Sequence, residues 1–109
     1  AICTSNSREL IDVAVEARGL AQGIDYVVTA CEVQAGKPAP DIYLRAAKEL
    51  AVVPAACLVF EDIPAGILAG KRAGMSVCAV EDEYSAYCME EKRRLSDFVI
   101  RDFTELLVQ

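Results

Sequence analysis

The stretch LVFEDIPAGILAG, residues 58–70, decides how this chain folds. It follows an apolar run rich in β-branched and aromatic residues, Cys57 to Phe60, which is typical of a buried strand. Glu61 and Asp62 come where that strand should end, and Pro64 suits the first turn of a helix. Open α/β sheets bind their ligands at this place, beyond the carboxyl ends of the strands. The two carboxylates therefore predict a site for a hard divalent cation such as Mg²⁺, with a solvated acidic loop as the alternative.

The composition excludes several classes of function. The chain has 109 residues, 54% of them hydrophobic, which is enough for one domain with a core. A net charge of −6 without a basic run argues against nucleic acid as a partner, and no apolar run is long enough to span a membrane. The five cysteines are widely spaced and histidine is absent, so neither structural zinc nor an imidazole base is expected. Unpaired cysteines fit a reducing, cytoplasmic environment.

Predicted strands and helices alternate along the chain. The strands are expected at residues 1–4, 26–29, 57–60, 76–80 and 98–100. The helices are expected at residues 8–18, 40–50, 65–73, 84–95 and 103–108. This alternation predicts an α/β fold with a parallel sheet covered by helices on both faces. Because parallel strands end at one edge of a sheet, Thr4, Lys37 and the pair Glu61-Asp62 should converge there.

Three motifs occur in a fixed order. They are AICTSNS at residues 1–7, GKPAPD at 36–41, and VFED at 59–62 followed by AGI and AG up to Gly70. In this order they resemble the haloacid dehalogenase (HAD) superfamily of phosphohydrolases, and most closely the branch of β-phosphoglucomutase and sugar-phosphate phosphatases. The resemblance covers nearly the whole chain, and the second and third motifs at this spacing are its specific part. It implies a Rossmann-like core, which is a parallel sheet with helices on both faces.

The resemblance assigns the phosphate-binding side of a site. Thr4 resembles the second-motif hydroxyl that donates a hydrogen bond to the transferring phosphoryl group, and the backbone N–H of Ser5 adds to that cradle. Lys37 resembles the third-motif lysine, which neutralises phosphate and a nucleophilic carboxylate together. Residues Asn6 to Arg8 are candidates to face the substrate. A helix cap remains the alternative for Thr4, Asn6 and Ser7, and a surface position remains the alternative for Lys37.

The resemblance also assigns a metal and a reaction. Asp62 resembles the fourth-motif Mg²⁺ ligand, with Glu61 as a second ligand or bound through water. The metal would screen charge between phosphate and nucleophile and fix their geometry. The implied function is that of a Mg²⁺-dependent phosphatase or phosphomutase, which acts on a small phosphorylated metabolite through an aspartyl-phosphate intermediate.

The nucleophile motif of this family is missing from the sequence. No D-x-D occurs, and the acidic run at 81–83 follows a different strand from the one that carries the motif in the family. The helical cap that follows the motif in this branch is missing too. We therefore expect residues 1–109 to be the C-terminal part of a HAD-like core domain, from its second strand onward. Alone they should be inactive, because they lack the Asp nucleophile. The sheet needs the missing N-terminal segment, on the same or another chain, to be complete.

Two other classes of protein remain as alternatives. A receiver-like signalling domain also combines Thr, Lys and an acid pair, but its acid pair follows the first strand and its Lys comes last. The order here is Thr4, Lys37, Glu61-Asp62, which disfavours that class. The other alternative is a non-catalytic HAD-like fragment that retains the fold without the chemistry.

Two local expectations follow for the backbone. Because the second helix should end at Leu50, Ala51 is expected in the left-handed conformation that usually requires glycine. The strands ending at Thr4 and Asp62 should not pair with each other, since the family's sheet places the missing strand between them. An open slot, or one filled by another chain, is expected instead. Leaving the apolar side chains beside the slot uncovered should cost roughly 5–10 kcal/mol of stabilisation, which is comparable to the stability of a whole domain. The 109 residues should therefore not fold stably alone.

Overall fold

The computed structural model describes residues 1–107, and it has the predicted α/β architecture. The strands are β1 (Ile2–Thr4), β2 (Val27–Thr29), β3 (Leu58–Glu61), β4 (Ser76–Val80) and β5 (Phe98–Ile100). The α-helices are α1 (Arg8–Ala17), α2 (Asp41–Glu49), α3 (Pro64–Arg72) and α4 (Met89–Leu95). All the strand pairs are parallel. None of the helices found in residues 1–107 has the length and apolar content needed to cross a membrane.

The strands form two sheets with an opening between them. β1 pairs with β2, and the other sheet has the order β3-β4-β5. The ends of β1 and β3 therefore do not pair within residues 1–107, which confirms the expected slot. A cavity of about 210 Å³ lies there, lined by Cys3 of β1, Tyr43 of α2, and Leu58 and Phe60 of β3. Leu58 is 50% exposed and Phe60 38% exposed, so apolar side chains beside the opening are uncovered.

The core lies under α2 and α3, whose small and branched residues pack against the strands. α2 contacts β1, β2 and α3, and therefore connects the two sheets. The fully or nearly fully buried apolar residues of this core include Val28, Ile42, Ala47, Val59, Ile67, Val77 and Ala79. In α3, a Cβ added at Gly70 would lie 2.6 Å from Cγ2 of Val77. This helix therefore packs closely on the sheet.

Two predicted helices differ from the observed ones, and a third forms as predicted but is not buried. Residues 84–95 do not form one helix: a 3₁₀-helix, Glu83–Cys88, precedes α4, and Ser85 inside it has non-helical φ and ψ. The cause is tertiary, because the Ser85 hydroxyl bonds the main chain after β3. The last helix is a 3₁₀-helix, Phe103–Leu106, and Val108 lies outside the described residues. α1 buries none of its residues, although its apolar spacing predicts an amphipathic helix.

The end of α2 has the predicted strained conformation. Ala51 has φ of 56°, and in residues 1–107 it is the one non-glycine residue with positive φ. The amide of Ala51 donates to the carbonyl of Lys48 at 3.1 Å, and that of Val52 donates to the carbonyl of Ala47 at 3.0 Å. These two bonds form a Schellman motif, whose left-handed residue is normally glycine.

Replacing Ala51 by glycine should therefore stabilise the protein. The left-handed conformation costs an L-residue about 1–2 kcal/mol, and glycine's greater freedom in the unfolded chain removes part of the gain. We expect Ala51→Gly to raise the free energy of unfolding by about 0.5–1 kcal/mol in urea denaturation. Ala55→Gly is the matched control, since Ala55 lies in a 3₁₀-helix and has φ outside the left-handed region. This variant should have a lower free energy of unfolding than wild type. If both variants lowered the free energy of unfolding equally, Ala51 would not be strained in the folded protein.

Candidate active site

The predicted site residues meet in one cleft at the carboxyl edge of the strands. The cleft has a volume of about 650 Å³ and lies between the two sheets. Its lining includes every residue of the predicted site, namely Thr4, Ser5, Asn6, Lys37, Glu61 and Asp62. The expected convergence is therefore confirmed, while the chemical role of each residue stays a prediction.

Lys37 connects the two sheets across the cleft. Its Nζ donates to the main-chain carbonyl of Cys3 at 3.1 Å and forms an ion pair with the Glu61 carboxylate. The side chains of Lys37 and Glu61 are only 10% and 7% exposed. Arg72 of α3 holds the loop that carries Lys37 by donating to the carbonyl of Pro38 at 3.2 Å. The ammonium is thus fixed in place, and a surface position for Lys37 is excluded.

Tyr43 is a third member of this cluster. Its hydroxyl donates to the Glu61 carboxylate, and the Nζ of Lys37 lies 5.2 Å from the centroid of its ring. Burial, followed by the charge of Glu61, raises the pKa of Tyr43, so the phenol remains a protonated donor. The helical spacing predicts Tyr43 on the buried face of α2, but nothing in that spacing indicates its contact with Glu61.

The Glu61 carboxylate accepts hydrogen bonds from three groups. Besides Lys37 and Tyr43, its Oε2 accepts a hydrogen bond from the Asp62 amide at 3.3 Å. A Cβ on Gly66 of α3 would overlap the Glu61 carboxylate, so glycine is needed for this approach. The contacts observed for Glu61 fix Lys37. The role of Glu61 as a metal ligand stays a prediction.

Asp62 faces a carboxylate that the sequence interpretation set aside. Burial, a hydrogen bond with Asp82 and the charge of Glu61, in that order, raise the pKa of Asp62. Asp82 follows β4 and lines the same cleft, where its carboxylate also accepts from the amide of Tyr84 at 3.0 Å. The sequence interpretation did not include Asp82. The signal for it is its position after β4, because parallel strands end at one edge of a sheet.

The turn after β1 is built by short hydrogen bonds. The Thr4 hydroxyl accepts from the amide of Asn6 at 3.1 Å, and Thr4, Ser5 and Asn6 all line the cleft. Ser7 caps α1 by accepting from the Leu10 amide at 3.3 Å, so the capping alternative holds for Ser7 rather than for Thr4.

The side chains of Arg8 and Cys3 bond groups other than the predicted site residues. Arg8 binds Glu32 at 2.8 Å and the carbonyl of Val27 at 2.9 Å. The guanidinium of Arg8 thus fixes β2, and Arg8 is not among the residues that line the cleft, so that a contact with substrate stays a prediction. Burial raises the pKa of the Cys3 thiol to about 11, so Cys3 is uncharged at neutral pH and unsuited to act as a nucleophile.

The acidic residues of the cleft suit Mg²⁺ as a partner of a phosphorylated ligand. In the part of the chain that the structure describes, no group of three or more His, Cys, Asp or Glu side chains is arranged around one metal position. Mg²⁺ is commonly held by one or two carboxylates plus substrate phosphate and water, rather than by a cage of protein ligands. The facing carboxylates of Asp62 and Asp82 fit that pattern, and a divalent cation would relieve their repulsion.

Comparisons with known proteins identify relatives of this chain. A family model described as haloacid dehalogenase-like hydrolase matches residues 1–74. Validoxylamine A 7'-phosphate phosphatase of Streptomyces hygroscopicus subsp. limoneus is 37% identical over 105 residues, covering 96% of this chain and 47% of that protein. A β-phosphoglucomutase of Mycobacterium bovis is 36% identical over 106 residues, covering 95% of this chain and 40% of that protein.

A solved structure shares the fold. The crystal structure of a HAD family hydrolase from Deinococcus radiodurans R1, with bound phosphate and sodium, matches with a TM-score of 0.82 at 28% identity. The match covers 97% of this chain and 48% of that one. The chain thus spans less than half the length of these relatives. Since the family model matches more than half of this chain, the chain belongs to the haloacid dehalogenase-like hydrolases.

Proposed function

We propose that the protein is a Mg²⁺-dependent phosphohydrolase, either a phosphatase or a phosphomutase, that acts on a small phosphorylated metabolite. The observation that carries this proposal is the cleft in which the Lys37 ammonium, the turn at Thr4 and the Asp62 carboxylate converge. The names of two relatives support it, one a phosphatase of a 7'-phosphate and the other a β-phosphoglucomutase.

Each residue of the cleft has a separate role in the proposed phosphoryl transfer. Lys37, held by Glu61 and the Cys3 carbonyl, places a positive charge beside the phosphoryl group and stabilises the charge that develops there. The Thr4 hydroxyl and the amide of Ser5 donate hydrogen bonds to phosphoryl oxygens. Asp62, with Asp82 opposite, holds Mg²⁺, which when bound neutralises phosphate charge and fixes the geometry of transfer.

The nucleophile of this proposal lies outside residues 1–109. The sequence has no D-x-D motif, and its relatives are more than twice as long as the matched region. We propose that residues 1–109 are the C-terminal part of a HAD-like core. In the complete protein, a strand carrying the Asp that forms the aspartyl phosphate would then lie in the slot between β1 and β3. The uncovered Leu58 and Phe60 beside the slot support this placement.

A phosphate-release assay on the full-length protein tests the function. Sugar phosphates and sugar-alcohol phosphates are supplied with Mg²⁺ or with EDTA. We expect release that requires Mg²⁺ and falls at least about 100-fold in Asp62→Asn, while Asp25→Asn, an exposed carboxylate outside the cleft, has no effect. Unchanged activity in Asp62→Asn would refute the assigned site. No release from any substrate would favour a non-catalytic HAD-like protein.

A further inference from the structure

Lys92 is a buried cation that the proposed reaction does not use. It lies in α4 with 0% exposure, in a helix whose other charged residues are mostly exposed. Its Nζ donates to the carbonyl of Val80 at 2.8 Å and to the hydroxyl of Ser85 at 3.0 Å. Among residues 1–107, Lys92 forms no ion pair with a carboxylate.

Ser85 connects Lys92 to the main chain of the site by hydrogen bonds. Since its hydroxyl accepts from Lys92, its own hydrogen is free to donate, and it donates to the carbonyl of Asp62 at 2.9 Å. The amide of Ser85 donates to the carbonyl of Asp82 at 3.2 Å. One lysine thus connects the carboxyl ends of β3 and β4, and Asp62 and Asp82, the two carboxylates assigned to the metal, lie on the connected segments.

Core packing alone does not account for this arrangement. Removing an ammonium from water costs several kcal/mol, and without a carboxylate partner the compensation comes only from hydrogen bonds. Ser85 also departs from helical geometry, with φ of −115° and ψ of 17°, which interrupts the helix around it. A methionine or leucine would fill the same position in α4 without either cost.

We propose that Lys92 is a positioning residue of the metal site. Through Ser85 it fixes the backbone at Asp62, and through Val80 it fixes the segment that leads to Asp82. The two carboxylates that would hold a divalent cation are thereby kept in the same cleft. This inference rests on the proposed function, because the cation is the Mg²⁺ assigned to Asp62. Partners that orient metal ligands from behind commonly contribute 10–100-fold to metal affinity.

The test measures Mg²⁺ binding directly rather than turnover. Isothermal titration of the full-length protein with Mg²⁺ alone is compared for wild type, Ser85→Ala and Lys92→Met. Each variant is also unfolded in urea, so that loss of folded protein is separated from loss of affinity. We expect both variants to bind Mg²⁺ about 10–100-fold more weakly while folded, and the amides of Asp62 and Ile63 to exchange hydrogen faster. Lys48→Met, at an exposed lysine of α2, should bind like wild type.

The outcomes distinguish this inference from the proposed function. If wild type binds Mg²⁺ and both folded variants bind it equally well, Lys92 has only a structural role and the inference is overturned. If wild type binds no Mg²⁺, the proposed function and this inference fail together. If Lys92→Met does not fold, Ser85→Ala decides alone, since it removes only one hydroxyl and breaks the connection to Asp62.

Discussion

Replacing Lys37 by methionine should reduce the proposed phosphatase activity of the full-length protein at least about 100-fold, and lower its free energy of unfolding by about 3–5 kcal/mol. The loss of activity follows from the position of the ammonium, which lines the cleft opposite the turn at Thr4. The loss of stability follows from Glu61, whose 7% exposed carboxylate would remain buried without its cation. Phosphate release and urea denaturation measure the two effects separately.

A double variant separates the two roles of Lys37. In Lys37→Met with Glu61→Gln, the uncharged amide needs no counter-ion and still accepts from Tyr43. We expect the double variant to regain part of the lost stability and none of the activity. Lys48→Met is the control for a lysine outside the cleft, and it should change neither quantity. An active Lys37→Met protein, or activity restored by the second substitution, would show that Lys37 serves only to balance Glu61.

The main features of the cleft could be predicted because they depend on local chemistry. An apolar strand followed at once by Glu61 and Asp62, then by Pro64, fixes both the element and the edge where the carboxylates lie. Lys37 sits in a loop stiffened by prolines, and its convergence with Asp62 follows from the parallel arrangement of the strands. Ala51 was predictable in the same way, since a helix that ends at Leu50 needs a left-handed residue next.

The features that escaped prediction depend on contacts between distant parts of the chain. Helical spacing places Tyr43 in the core but does not show that its hydroxyl reaches Glu61. A lysine on a charged helix is expected at the surface, yet Lys92 is buried because Val80 and Ser85 offer it acceptors. The hydrogen bond from Ser85 to the Asp62 carbonyl accompanies the 3₁₀-helix at residues 83–88, where helical propensity predicts a continuous α-helix. Propensity records local preferences, and here tertiary hydrogen bonds override them.

The second large effect is expected at Gly66, in the first turn of α3. A Cβ there would overlap the Glu61 carboxylate, which cannot rotate away without breaking its bonds to Lys37 and Tyr43. Helix propensity alone predicts that Gly66→Ala stabilises the protein by about 1 kcal/mol. Overpacking costs about 1–3 kcal/mol, and disruption of the buried ion pair costs more. Helix propensity and steric overlap change the free energy of unfolding in opposite directions, so the sign of the measured change shows which of them dominates.

We expect Gly66→Ala to lower the free energy of unfolding by about 3 kcal/mol and to reduce phosphate release along with it, because Lys37 loses its anchor. Gly36→Ala is the matched control, since a Cβ at Gly36 meets no atom within 4 Å and its φ lies outside the left-handed region. Urea denaturation of both variants gives the comparison. A Gly66→Ala protein as stable as wild type would mean that Glu61 moves at little cost. The ion pair with Lys37 would then not be the rigid support that the proposed transfer of the phosphoryl group requires.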